Sequence, residues 1–286
     1  IRRQRQMCIR DRVLGKQNWF TKQYDHPKRT CLEVRQGNGV EEPSLTYTTA
    51  YQTEKDSFYV TVGLWQAGQN RIFIDCNVQS PADMLSPGRI GMTAILPVRF
   101  TAMKWYGKGP LETYPDRQCG GRMGVYSEDV RNQPFYLRPQ EYGLHMESRS
   151  MRLTDPDRAD FVRFEAACPM AMSAVPYSDL QLWNARHPLE LPAPEALYVH
   201  LDYAHRGLGN SSCGPDDLPT YRIDDRPCRF GFALEAGLGE REDNPFGPIP
   251  EEIPAYHPWK AVGEQDRTPS YRDPSDPDQR SNAGMV

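Results

Sequence analysis

Trp105-Tyr106-Gly107-Lys108-Gly109-Pro110-Leu111-Glu112-Thr113-Tyr114-Pro115-Asp116-Arg117 is the stretch on which the reading of this chain turns. Gly107 and Gly109 admit backbone conformations closed to other residues. Pro110 and Pro115 stiffen the path between them. Trp105 and Tyr114 bring large aromatic area to a core. Glu112, Asp116 and Arg117 stand near enough in sequence to form a charge-assisted network. The combination reads as a rigid loop welded to the edge of a sheet, with direct ligand contact as the rival role. It continues through Gly124-Val125-Tyr126 to Tyr136-Leu137-Arg138-Pro139-Gln140-Glu141.

Outward from this motif, apolar residues recur at every second position. Leu45, Tyr47, Thr49 and Tyr51 alternate with Thr46, Thr48 and Ala50, and Phe58, Val60, Val62 and Leu64 alternate with Tyr59, Thr61 and Gly63. Ile72, Ile74, Cys76 and Val78, then Ile90, Met92, Ala94 and Leu96, keep the same period. A period of two puts one set of side chains on the buried face of a sheet. Turn-forming residues divide the runs at Glu54-Lys55-Asp56-Ser57, Gln66-Ala67-Gly68-Gln69-Asn70 and Ser86-Pro87-Gly88. Further strands are expected at Met103 to Tyr106, Phe161 to Glu165, Met170 to Val175, Leu197 to Asp202 and Phe230 to Leu234. One short helix is expected, capped by Ser178, with Asp179 in its first turn, Leu180 and Trp183 on one face and Pro188 as its stop. Closely spaced strands without intervening helices make the fold all-β, a large antiparallel two-sheet sandwich.

The two ends differ from this body. Residues 1–12, IRRQRQMCIRDR, resemble the translation of a sequencing adapter and are set apart from the fold on that ground; a basic N-terminal arm is the alternative. A truncated frame, with its native start upstream, is expected. Residues 13–235 form the expected domain. Beyond it come Asn244-Pro245, Gly247-Pro248, Ile249-Pro250, Ile253-Pro254 and repeated Asp-Pro steps. Each proline removes a donor and restricts the residue before it, and apolar residues are too sparse to offset chain entropy. Residues 236–286 are therefore expected to be an extended or disordered tail, with Tyr256, His257 and Trp259 as docking candidates.

Composition narrows the function classes. The formal net charge is −4 over 286 residues, so no strong field draws nucleic acid or an anionic membrane surface. No apolar run approaches the roughly 18 residues of a membrane span. Seven cysteines are scattered with no C-x-x-C pair, which removes the zinc and thioredoxin-like readings. Scattered single thiols suit a reducing, cytoplasmic setting. No Ser-His-Asp order, phosphate loop or metal cluster emerges.

The motif at 105–117 and its continuation resemble the W-x-G-x-G-P-x-E-x-Y-P-D-R and P-Q-E-N-G signatures of the C-terminal, small-chain domain of family-two β-galactosidases. Gly207-Leu208-Gly209-Asn210-Ser211-Ser212-Cys213-Gly214-Pro215 is similar to that domain's G-x-G-x-x-S-C-G-P loop. Arg89-Ile90-Gly91-Met92 and Phe230-Gly231-Phe232 fit the family pattern as well. Tyr142 departs from it, since the family usually has Asn there. The resemblance spans roughly residues 30 to 235. It implies a supersandwich of the galactose-mutarotase type within an enzyme that hydrolyses terminal β-D-galactosides, lactose included, with retention. Carried over residue by residue, Trp105, Gly107, Gly109, Pro110, Glu112, Tyr114, Pro115, Asp116, Arg117, Gln140 and Glu141 would be structural. Asn210, Ser211, Ser212 and Cys213 would line part of the sugar pocket. The resemblance also implies Mg2+ and Na+ in the intact enzyme with no ligand in this chain. As partners it implies the catalytic barrel and other domains, and a homo-oligomer.

A retaining glycosidase needs two carboxylates about 5–5.5 Å apart, which in this family sit in a (β/α)8 barrel of about 250 residues. No strand–helix alternation of that kind is present. Asp202-Tyr203-Ala204-His205-Arg206-Gly207-Leu208-Gly209-Asn210 superficially resembles the family's E-Y-A-H-x-x-G-N nucleophile motif. However, Asp replaces Glu, an extra residue precedes Gly-Asn, and the continuation belongs to the other loop. No catalytic residue is therefore assigned, and the chain alone is expected to be inactive. Two alternatives stay open. One is a free-standing carbohydrate-binding or aldose-epimerase-like module using His187, His200 or His205. The other is the small subunit of a split enzyme.

Overall fold

The computed structural model describes residues 27–39, 41–53, 56–81, 86–134, 141–209, 217–223 and 228–239. Residues 1–12 and nearly all of the expected tail lie outside them. The elements are β1 (Lys28–Gln36), β2 (Leu45–Gln52), β3 (Ser57–Gln66), β4 (Arg71–Gln79), β5 (Arg89–Pro97), β6 (Ala102–Gly109), β7 (Arg122–Asp129), β8 (His145–Thr154), β9 (Phe161–Val175), α1 (Asp179–Asn184), β10 (Ala196–His205) and β11 (Cys228–Gly237). Every strand pairing among them is antiparallel.

Hydrogen bonds join all eleven strands in one branched sheet, β1-β2-β3-β4-β11-β9-β8-β6-β7, with β10 and β5 leaving it at β9. The branch arises from the length of β9. Phe161 to Ala166 pair with β11, whereas Ala171 to Val175 pair with β10. On its other side β9 stays with β8, across register breaks around Ser148. Glu147 holds a left-handed φ of 55° inside that break, a conformation non-glycine residues seldom adopt.

Alternation does what the sequence leads one to expect. Along β6, Met103, Trp105, Gly107 and Gly109 take the buried side. The main core gathers Val62, Ile74, Cys76, Phe230 and Phe232 with Leu197, Val199 and Leu201 of β10 and with Ile90, Met92 and Leu96 of β5. Cys76 Sγ lies 3.1 Å from Met92 Sδ, so β5 shares a core with β4 though the two are not hydrogen-bonded. On the opposite face of the central strands, charges pair across the ladder: Arg229 with Asp75 through three contacts of 2.7–3.0 Å, and Arg163 with Glu235 at 2.6 Å.

Three details differ from expectation. The stretches read separately as 161–165 and 170–175 are one strand of 15 residues, which runs on through Pro169 while its register against β8 shifts. The helix does start at the Ser178 cap, in a capping box with Gln181. Among its described side chains, however, the buried one is Leu182 (1 % exposed), while Leu180 is 69 % exposed; the Trp183 side chain lies outside those described. It ends at Ala185, and Pro188 opens a separate 3-10 turn instead of stopping it.

Candidate functional site

The 105–117 motif lies where β6 leaves the sheet. Trp105 is 1 % exposed and stacks on His145 at 3.8 Å between ring centroids. Its Nε1 donates to the Lys108 carbonyl at 3.1 Å. Gly107 lies against Ser148, where a Cβ would come within 2.6 Å of the hydroxyl oxygen, and Gly109 faces the Tyr126 ring. The Gly109–Pro110 peptide is cis. Tyr114 and Arg117 exchange both backbone hydrogen bonds, at 3.3 and 2.8 Å, around Pro115 and Asp116. Tyr114 is fully buried; its hydroxyl donates to Glu112 at 3.3 Å and its ring meets His205 edge-on.

Of the three charged residues expected to form one network, Glu112 and Arg117 stay together while Asp116 separates from them. Glu112 accepts from the Gly143 amide at 2.9 Å and faces Arg117 at 3.8 Å. Asp116 turns the other way. Its two oxygens accept from the Leu208 amide at 3.0 Å and the Gly209 amide at 2.6 Å. One motif thus grips the start of the other. A Cβ at Gly207 would stand 3.0 Å from the Asp116 carboxyl carbon, and Gly209 has a left-handed φ of 57° with the Asp217 backbone 3.0 Å from its would-be Cβ. Both glycines are required there by close approach and by φ. The far end of the same loop is held by Arg206, whose Nε lies 2.9 Å from each oxygen of the buried Asp217 carboxylate. Arg222 donates to the Asp217 carbonyl at 3.1 Å. Asn210, Ser211, Ser212 and Cys213, the expected pocket-lining residues, lie outside the described residues, as does Gln140.

Behind this loop base sits a cluster of ionisable groups contributed by β5, β10, α1 and the segment before β8. Arg89 pairs with Asp179 and stands 3.7 Å from Glu141, and Glu141 is 3.5 Å from His205 Nε2. His205 Nδ1 donates to the Arg206 carbonyl at 2.6 Å, and His200 Nδ1 is 3.0 Å from the Thr93 hydroxyl. Burial opposes ionisation of Glu141, but His205 and Arg89 outweigh it and draw the carboxyl down to about 2. Asp202 is 2 % exposed. Burial drives it up to about 7, against the pull of Arg89 and His205. For His205 burial is overcome by Glu141 and Asp202, and its value is raised. Burial takes His200 down to about 3. The cluster therefore favours the ionised form of Glu141 and the protonated form of His205 beside it, and keeps the Asp202 carboxyl neutral up to about pH 7.

The sequence singles out Glu141 and Asp116, and His205, Leu208 and Gly209 elsewhere, but does not pair them. Arg89 stands out there only as part of a pattern, and Asp179 only as a helix-start residue. The Arg206–Asp217 clasp has a legible signal, opposite charges flanking a glycine-rich loop. Tyr142, the departure from the family pattern, is 4 % exposed and packs with Val175 and Leu182. Its ring joins the core beneath α1.

Comparison with known proteins agrees with this organisation. A family model described as β-galactosidase small chain matches residues 5–234. The β-galactosidase of Staphylococcus xylosus is 31 % identical over 156 residues, 54 % of this chain and 16 % of that one. That of an Arthrobacter species is 33 % identical over 168 residues, 56 % of this chain and 16 % of the relative. That of Kluyveromyces lactis is 24 % identical over 222 residues, 76 % of this chain and 22 % of the relative. The chain thus spans about a sixth to a fifth of the length of these relatives.

Proposed function

Given that the chain belongs to the β-galactosidase small-chain family, we propose that it is the C-terminal part of an enzyme hydrolysing terminal β-D-galactosides of the lactose class with retention. In this reading its strands form a two-layer supersandwich like that of galactose mutarotases, with β5 and β10 laid over β4 and β11. The chain supports the enzyme and supplies part of the sugar-pocket wall through Asn210, Ser211, Ser212 and Cys213. The reacting carboxylates belong to a catalytic barrel elsewhere in the enzyme, which works as a homo-oligomer in the cytoplasm.

The observation that carries the reading is the double anchorage of the loop. Asp116 holds its entry through two amides, and Arg206 with Asp217 closes its exit. Residues that shape a pocket must be held in place by their surroundings. Among the described residues no group of three or more His, Cys, Asp or Glu side chains is placed to hold a metal ion.

The test is recovery of activity. The β-galactosidase of S. xylosus, shortened by its matching C-terminal part, is mixed with this chain and assayed on a nitrophenyl β-galactoside. Each component alone should be inactive and the mixture active. Hydrolysis by this chain alone overturns the division of labour; a mixture as inactive as its parts overturns the supporting role.

One observation keeps a second reading, that of a module which interconverts sugar anomers. Such chemistry needs a histidine and a carboxylate converging on one substrate, and His205 and Glu141 come within 3.5 Å of each other. Polarimetry of freshly dissolved α-galactose separates the two. A rate raised by this chain and lost in Glu141→Gln supports the module; the uncatalysed rate removes it.

A further inference from the structure

The apolar face of the sheet runs on past the strands that cover it. Register aligns Val34, Tyr47, Val62, Cys76 and Phe230 in one row across β1, β2, β3, β4 and β11. Direct cross-strand partners point to the same face, so this row shares the face of the main core. Its exposure climbs toward the edge. Phe230, Cys76 and Val62 are 1–2 % exposed, Tyr47 is half-buried and Val34 is 63 % exposed. The neighbouring rows behave alike: Cys31 at the edge is exposed, Thr49, Val60 and Val78 are half-buried. Tyr51 and Phe58 extend the same face as a stacked pair, 4.8 Å between centroids and 5° between planes. All nine residues of β1 are exposed. Strands β5 and β10 share the core with β4, β11 and Val62 of β3, and among the described residues the cover falls away across β2 to β1, leaving an overhang.

We infer that this overhang, with Cys31, Val34, Tyr47, Tyr51 and Phe58 at its centre, is a docking face for the remaining, barrel-bearing part of a β-galactosidase. The inference rests on the proposed function and adds to it the surface through which the chain is held. Two observations choose the occupant. The aligned relatives are about six times as long as the segments they share with this chain, so most of such an enzyme's surface lies beyond it. The edge itself carries Lys28, Arg29 and Arg35, charges that discourage addition of another strand. What is left open is the face and not the edge, which suits a packed domain rather than an added strand from a second copy.

The experiment uses the full chain and the shortened S. xylosus enzyme, with hydrogen exchange followed in both. On mixing, amides of β1 to β3 should become protected. Val34→Asp and Cys31→Asp should each weaken association at least tenfold, while Arg35→Asp, on the opposite face of the same strand, should change it less than threefold. Since Val34 and Cys31 are exposed, both variants should fold, and circular dichroism checks this. Exchange in the wild-type mixture needs no variant at all. Recovered activity with unprotected β1 to β3, or with Val34→Asp binding like wild type, overturns the docking face and leaves the proposed function intact. A mixture with neither binding nor activity overturns both. If sedimentation shows the chain to be a dimer that Val34→Asp makes monomeric, a second copy is the occupant and the inference fails.

Discussion

The two ends of the sheet are built on different terms. At the β1–β4 end, β2–β3 and β3–β4 each keep an unbroken register and β1–β2 shifts once, between Cys31 and Glu33, and Thr48 and Thr61 share a hydrogen bond across β2 and β3. At the other end, β8 breaks register twice against β9, β10 breaks it at Asp202 to Ala204 against β5, and bonds from single named side chains fix the loops. The first end needs only a period of two, and many sequences supply one. The second needs particular groups at particular places, since each buried charge or aromatic ring must meet its own partner. Substitutions should therefore be costly at the loop end and mild at the regular one, and four measurements can break or sharpen that contrast.

Trp105→Ala should have the largest effect. The residue fills the space between His145 and Tyr126, with ring centroids 3.8 and 5.5 Å away. Its loss removes a large buried ring and leaves a cavity, worth about 4 kcal/mol. Urea unfolding should show the midpoint collapsing with little change in the slope. A loss below about 1 kcal/mol would mean that the motif is not part of the core.

Asp202→Asn comes next, and its effect has a sign and a pH window. A free aspartate ionises near 3.9, while in the fold burial lifts Asp202 to about 7. Between those values the folded state keeps a proton that the unfolded chain has released, so this group makes stability fall as pH rises from about 4 to about 7. Asparagine cannot ionise and removes that fall. The variant should gain on wild type across this window by on the order of 3 kcal/mol and keep its lead at pH 8. His200 and His145, pulled down by burial to about 3 and about 4, act in the opposite direction. They raise stability as pH climbs toward 6.5, but are present in both proteins and cancel in the difference. A gap that does not vary with pH from 4 to 8 defeats the argument.

The Asp116 clamp is smaller. Asp116→Ala deletes two charge-assisted acceptors on the Leu208 and Gly209 amides, an expected loss of about 2 kcal/mol. Amide exchange localises it. Leu208 and Gly209 should exchange faster by at least tenfold, whereas Val62 and Cys76 should be slowed or hastened only as much as global stability dictates. Asp116→Asn keeps one acceptor oxygen and should fall between wild type and Asp116→Ala. Equal exchange at Gly209 in all three proteins would assign the fixing of the loop to Arg206 and Asp217 alone.

What is legible in the sequence divides along the same line. The alternation from Leu45 to Leu96 locates β2 to β5 within a residue or two, because regular strands are a repeating property of the chain. β1, β7 and β8 carry no such mark: Lys28–Gln36 is all exposed and has no apolar period, and His145–Thr154 interrupts its alternation at the register breaks. At the site, the 105–117 motif declares its rigidity through Gly107, Gly109, Pro110 and Pro115. It does not disclose that Asp116 and Glu112 face opposite ways. Nor can proximity in sequence join Arg89, Glu141, Asp179 and His205, which meet only after β5, β10 and the helix have folded together.

The smallest effect belongs to the regular end and weighs most on the contrast. Val34→Asp places a charge on the same face as the core, yet at a position with 63 % of its surface in water. For the isolated chain the ionised carboxylate stays solvated and no packed volume is lost. Its stability should change by less than about 0.5 kcal/mol, the usual range for surface substitutions. The same substitution at Val62, two strands inward along one row and 2 % exposed, would bury that charge without a partner and should unfold the domain. A melting comparison of the two tests whether one face changes from tolerant to intolerant within two strand spacings. If Val34→Asp costs several kcal/mol in the isolated chain, the edge of that face is already covered by this polypeptide, and the regular end is no freer than the other.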